Sequence, residues 1–197
     1  MQELTFKEKK LEFASLSKVL WLLYLLNIGS LIWARLFFFK INSPASRKIS
    51  YLNDTAAAIQ IIFTFYLFYE NESGIPAILL CILLYLASLV VFWWSISTTG
   101  SLDFASSSHS GRLYTKGPYS IARHPFYLSY SIIWITSTTL LNEIVLWASL
   151  VALLFVYYTS AKLEEATILE SSLSAEYIEY MKITGMFWPK FSRRKIN

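Results

Sequence analysis

The sequence predicts an all-α integral membrane protein with about five transmembrane helices and a cytosolic C-terminal region. Three observations carry that reading. Only 15% of the residues are charged and 55% are hydrophobic, against about 25% charged in an ordinary soluble chain. The apolar residues gather into long runs, several of them near the roughly 20 residues needed to cross a bilayer. The net charge of +4 comes from basic residues at the ends of those runs, as at a membrane surface. That placement argues against a nucleic-acid partner. The length suits a single membrane domain, residues 1–197.

Residues 1–18 intersperse charges with Leu4, Phe6, Leu11, Phe13 and Leu16. This describes either a short amphipathic helix on the surface or a partly ordered tail. Residues 19–39 form the first span, interrupted by Asn27 and Arg35, with no small-residue cleavage site of a signal peptide. Arg35 lies near the end of this span, where it can snorkel to the interface. Residues 40–50 make a polar connector with Lys40, Arg47 and Lys48 around Pro44. A second, shorter span covers residues 55–69 and ends at Glu70 and Glu72, and Gly74 and Pro76 mark the turn. Residues 75–97 are the third span, with Trp93 and Trp94 as interface anchors. The first three spans thus occupy residues 19–97.

A serine-rich polar interval, residues 98–124, follows and matches neither a helix nor a strand. Connections of that length are usually functional or disordered. Residues 125–161 form an apolar helical hairpin broken only by Asn142-Glu143. Residues 162–197 are a polar tail, helical to about Thr184, with Phe187-Trp188-Pro189 and a basic end beyond. The positive-inside rule places residues 40–50, the 98–124 loop and the tail in the cytosol. The lysines Lys7, Lys9, Lys10 and Lys18 run against that assignment.

Several chemistries have no support. Cys81 is the one cysteine and lies in an apolar run, and His109 and His124 are the two histidines. No internal disulfide is then available, and no metal site is expected. Neither GxGxxG nor GxxxxGK[ST] occurs, so a nucleotide-like cofactor would need some other cradle.

Two polar islands concentrate the unusual residues. The first is Gly117 to Tyr127, GPYSIARHPFY. Pro125 disfavours helical geometry at His124 and suits the first turn of the helix that follows. Arg123 and His124 therefore sit at a helix mouth that favours an anion, and Arg123 can take a carboxylate bidentately. Equally, both can be anchors for lipid phosphate. The second island is Lys162-Leu163-Glu164-Glu165. Adjacent carboxylates near a helix C-terminus are unfavourably placed. They either accept hydrogen bonds and balance a cation, or stand as a solvated pair. Tyr177 and Tyr180 share a helix face. They close over the site or lie at the headgroup level.

This order of GPYSIARHPFY, an apolar hairpin, Glu164-Glu165 and Tyr177-x-x-Tyr180 resembles the isoprenylcysteine carboxyl methyltransferase family. Membrane phospholipid methyltransferases look similar over the same region, residues 111 to about 189. The resemblance implies S-adenosyl-L-methionine as cofactor, making the C-terminal region its binding site. The implied contacts are Gly111, Arg112, Leu113, Tyr114, Tyr119, His124, Pro125, Phe126, Tyr127 and Glu165. Arg123, His124 and Glu164 are the candidates for the chemistry, and Lys162 is a candidate substrate contact. Two positions depart from the family. Ser129 stands where glycine is common, and Ala161 stands where prenyl-protein enzymes carry an arginine implicated in substrate binding.

The expected activity is methyl transfer to a lipidic or prenylated acceptor, foremost carboxyl O-methylation of the isoprenylcysteine type. An ionised carboxylate acceptor needs no general base, only alignment and desolvation. Phospholipid N-methylation is the alternative, and it needs a base such as Glu164 or His124. Membrane sterol and steroid reductases, which use NADPH, look similar in their C-terminal halves. Glu164-Glu165 would repel that cofactor's phosphates. A non-enzymatic scaffold is a further alternative. The expected location is a prokaryotic inner membrane or a eukaryotic endoplasmic reticulum membrane, with the site facing the cytosol.

Overall fold

A computed structural model describes residues 2–38, 44–68, 73–99 and 112–190, with side chains from residue 11 in the first segment and residue 49 in the second. Gly111 and His109 lie outside the described residues. The described elements are helices, in the order α1 (Gln2–Trp33), a π-helical turn (Ala34–Phe38), α2 (Pro44–Leu67), α3 (Ile75–Thr99), a 3₁₀ turn (Gly117–Ser120), α4 (Pro125–Leu141), α5 (Ile144–Leu169) and α6 (Ser174–Ile183). Among the described residues, three stretches are long and apolar enough to cross a bilayer by length and composition: Leu11–Phe38, Ile75–Thr99 and Ile144–Leu169. The protein is an all-α membrane protein.

α3 shows most plainly how the sequence selects the packing. Its buried residues are Ile78, Cys81, Tyr85, Ser88, Phe92, Ser95 and Thr99, a strict alternation of three- and four-residue steps. That repeat keeps one narrow seam turned inward. Leu80, Leu83 and Val90 on the other faces are exposed, as a lipid-facing surface requires. The seam packs α3 against α4 and α1, while α2 lies along α5.

The seams also carry polar side chains, which tie helices together where apolar burial gives little preference over lipid. Tyr85 Oη and Ser137 Oγ are 2.9 Å apart between α3 and α4. Gln60 Nε2 donates to Thr138 Oγ1 at 3.1 Å and to the Leu146 carbonyl at 2.8 Å. Asn27, which interrupts the first apolar run, donates across to the Tyr85 carbonyl at 3.2 Å.

Three boundaries differ from the sequence expectation. Residues 2–18 are neither a separate surface helix nor a tail but the first turns of α1. No glycine or proline precedes Gly29, so nothing breaks the helix before the span. α2 begins at Pro44 and absorbs the end of the expected connector, because proline suits a first helical turn. α5 continues to Leu169, past the expected end at Ala161. Arg35 does not simply snorkel. It pairs with Asp54 at 2.9 Å and donates to Ser50 at 2.8 Å, fastening the end of α1 to α2.

The hairpin turn is built as its residues dictate. Asn142 adopts a left-handed conformation, φ 52°, and its N–H caps Thr138 at 2.8 Å. Asparagine tolerates that region better than most residues. The turn sends α5 back along the bundle and brings residues 164 and 165 level with the mouth of α4.

Candidate active site

His124 has φ −124° and ψ 68°, outside the helical region, and Pro125 opens α4 directly after it. The chain therefore turns sharply at Arg123-His124, and both side chains point to where α5 ends. Arg123 donates from Nε to Glu165 Oε1 at 2.9 Å, and its Nη2 lies 2.7 Å from the same oxygen. The sequence allows Arg123 to take a carboxylate bidentately, and the structure places both contacts on one oxygen. Nη1 donates to the Thr184 carbonyl at 2.5 Å. The Arg123 side chain is 8% exposed and that of Glu165 is 3% exposed, so this ion pair is removed from water.

His124 lies between both glutamates. Its Nε2 is 3.2 Å from Glu165 Oε1 and its Nδ1 is 3.4 Å from Glu164 Oε2. A neutral imidazole has one N–H, so one ring nitrogen would then turn a lone pair toward a carboxylate. The imidazolium satisfies both. Burial acts to lower the His124 pKa, but the contacts with Glu164 and Glu165 outweigh it and hold it above the ordinary value. With Arg123 and His124 positive and Glu164 and Glu165 negative, the four charges cancel.

Glu164 is the member of the cluster open to solvent, at 25% exposure. Tyr127 Oη donates to its Oε1 at 2.5 Å. The Tyr127 ring stacks near His124, with centroids 5.8 Å apart, and on Tyr157 at 5.3 Å with the planes within 14°. Tyr130 lies 5.8 Å from Tyr157, and Trp134 Nε1 donates to Tyr157 Oη at 2.8 Å. A tyrosine-lined wall thus runs from Glu164 into the bundle.

The other expected contacts fall into two groups. Tyr114 and Tyr119 flank the mouth, with ring centroids 6.1 Å apart, and Arg112 lies over the Tyr114 ring at 5.5 Å. Leu113 is half-buried beside them. Gly117 takes φ +61°, and a Cβ there would meet Thr98 Oγ1 at 2.8 Å, so glycine lets this segment close onto the end of α3. By contrast, the Phe126 side chain turns away from the cluster into a second core with Phe92 and Phe38, each 5.8 Å away. Lys162 is exposed on α5, 5.9 Å from the Tyr158 ring centroid.

Tyr177 and Tyr180 close over the site. Both are buried. Tyr177 faces Arg123 and Glu165, and Tyr180 Oη donates to the Tyr119 carbonyl at 2.5 Å. The two positions that depart from the family face inward. Ala161 is fully buried, and Ser129, also fully buried, donates to the Phe126 carbonyl at 2.9 Å. Sequence reasoning did not find residues 184–187, which lie along the Arg123-His124 turn. The sequence marks this stretch only by the helix end near Thr184 and by Phe187-Trp188-Pro189.

An arginine–histidine turn, paired glutamates and two buried tyrosines thus meet at one end of the helical bundle. The chain belongs to the phospholipid methyltransferase family, whose model matches residues 74–176. These are membrane methyltransferases related to the isoprenylcysteine carboxyl methyltransferases, as the motif order implies. No curated protein matches the chain. The match spans α3 through α5 and the start of α6. α1, α2 and residues 184–187 lie outside it.

Proposed function

We propose that the chain is an S-adenosyl-L-methionine-dependent methyltransferase acting on an amine-bearing lipid headgroup, with its site on the cytosolic side of a five-span bundle. The observation that carries the amine reading is the commitment of both cluster cations. Arg123 is spent on Glu165 and the Thr184 carbonyl, and His124 on the two glutamates. A carboxylate acceptor would need positive charge beside it, whereas the member of the cluster open to solvent is the carboxylate Glu164 and the adjoining tyrosines offer π faces. Both favour a cation.

The residues suit the proposed cofactor. When bound, it supplies an electrophilic methyl group on a positively charged sulfur. Tyr119, His124, Tyr127 and Glu165 would hold it, with acidic and aromatic groups matched to its ammonium and sulfonium charges. Glu164 is the base, because the His124 imidazolium already carries its proton and only donates. Glu164 removes a proton from the headgroup ammonium, which frees the nitrogen lone pair. Tyr127 steadies that carboxylate through its hydrogen bond. Closure by Tyr177 and Tyr180 excludes water, and alignment supplies much of the remaining acceleration. Arg112 and Lys116, exposed near the mouth, present positive charge to a headgroup phosphate.

Carboxyl O-methylation is the second reading, favoured by the motif order shared with the isoprenylcysteine enzymes. Ala161 weighs against it, since this inward-facing position holds no cation. Incubating purified protein with methyl-labelled cofactor and vesicles containing an aminophospholipid separates the two. Base-stable label in the lipid supports N-methylation. Label released by base as methanol means an ester and overturns the amine reading.

A further inference from the structure

Residues 184–187 lie beyond the stretch matched by the family, yet they contact the most constrained part of the site. Ala122 and Gly185 pair as an isolated parallel bridge. The Arg123 N–H donates to the Gly185 carbonyl at 2.9 Å, and the His124 N–H donates to the Met186 carbonyl at 3.1 Å. Arg123 Nη1 donates to the Thr184 carbonyl at 2.5 Å. The Phe187 ring centroid lies 6.1 Å from that of His124. Three successive carbonyls of one segment therefore accept from two successive residues of the other.

The register of this segment is fixed at both ends. The Thr184 N–H is tied to the Tyr180 carbonyl at 3.0 Å, and Tyr180 itself reaches Tyr119 on the opposite lip. At the other end the chain folds so tightly that a Cβ on Gly185 would lie 2.0 Å from the Trp188 carbonyl oxygen. A real Cβ does not approach backbone that closely, so any other residue must displace the segment.

We propose that residues 184–187 are a positioning strap, which holds the Arg123-His124 backbone in its non-helical turn so that the His124 ring stands between Glu164 and Glu165. The reason such a strap is needed is local. The turn before Pro125 has no helix ladder of its own to hold it, and buried N–H groups must find acceptors. The strap supplies those acceptors and, through the Thr184 carbonyl, one for the Arg123 side chain as well. Gly185 is the residue on which its register depends. The hydrogen bonds that the strap's carbonyls accept come from Arg123 and His124, so its loss acts first on the donor half of the site. This last point rests on the cofactor reading proposed above.

The test is Gly185→Ala, with Thr184→Ser as a control that keeps the backbone carbonyl. Amide hydrogen exchange of the purified protein reads the strap directly. The Arg123 and His124 amides should exchange at least roughly tenfold faster in Gly185→Ala and at the wild-type rate in Thr184→Ser. The KM for S-adenosyl-L-methionine should rise by about tenfold or more while the KM for lipid stays within about twofold. Unchanged exchange at those amides overturns the strap. Parallel rises in both KM values, with a lowered melting temperature, show a general structural role and also overturn it. If the wild type binds no S-adenosyl-L-methionine but the exchange result holds, the cofactor reading fails and the donor-side role fails with it.

Discussion

Replacing Glu165 by glutamine removes one charge from a cluster that has four. Its Oε1 receives Arg123 Nε at 2.9 Å, Arg123 Nη2 at 2.7 Å and His124 Nε2 at 3.2 Å, in a side chain 3% exposed. An amide has nearly the same shape but cannot balance the Arg123 guanidinium, which is 8% exposed. Removing one partner of a buried ion pair costs about 3–5 kcal/mol, chiefly because the other charge is left uncompensated. If the cluster is also the donor site, Arg123 and His124 reorient and S-adenosyl-L-methionine affinity falls by two orders of magnitude or more. Calorimetric titration in detergent micelles measures the affinity, and a thermal melt measures the stability. A compensating pair, Glu165→Leu with Arg123→Met, separates the two effects. It should restore much of the melting temperature, because replacing a whole buried pair is often neutral, while cofactor binding stays lost. Wild-type affinity and melting temperature in Glu165→Gln would refute the electrostatic reasoning.

Three further outcomes follow. Because the His124 pKa is raised in the folded state by Glu164 and Glu165, its contribution is fully present below the ordinary histidine value of about 6.5. It is lost as pH rises through the higher folded value. Melting temperature should therefore fall with rising pH across that window, and His124→Gln should flatten the profile. Gln60→Leu removes two buried hydrogen bonds, to Thr138 Oγ1 and to the Leu146 carbonyl, which keeps Ser149 Oγ as a donor. It should cost about 1–3 kcal/mol in denaturant unfolding, with little change in donor affinity. Gly117→Ala forces a Cβ into a positive-φ position 2.8 Å from Thr98 Oγ1. It should cost about 1–3 kcal/mol and weaken donor binding by displacing Tyr119.

The elements bounded by strong local signals were legible in the sequence. α3 appears within two residues of its expected ends because an unbroken apolar run stops at polar residues on both sides. The hairpin is where Pro125 and Asn142-Glu143 put it. The meeting of Arg123 and His124 with Glu165 followed from hairpin geometry together with the family resemblance. Other features depend on tertiary contacts that leave little local trace. The Arg35–Asp54 pair joins a residue read as an interface anchor to one whose position in the sequence gives no sign of its partner. Phe126 belongs to the motif, yet it faces the core, since adjacent residues on α4 point in different directions. The strap works through backbone carbonyls, which every residue possesses, so no side-chain pattern could announce it. Ala161 was legible as a departure. Only its burial shows that the missing arginine would have pointed inward.

Direct titration of the purified wild-type protein with S-adenosyl-L-methionine, with NADPH titrated in parallel, tests the central claim most directly. Saturable binding of the methyl donor at one site per chain is expected, lost in Glu165→Gln, with no saturable binding of NADPH. Saturable NADPH binding without donor binding would contradict it.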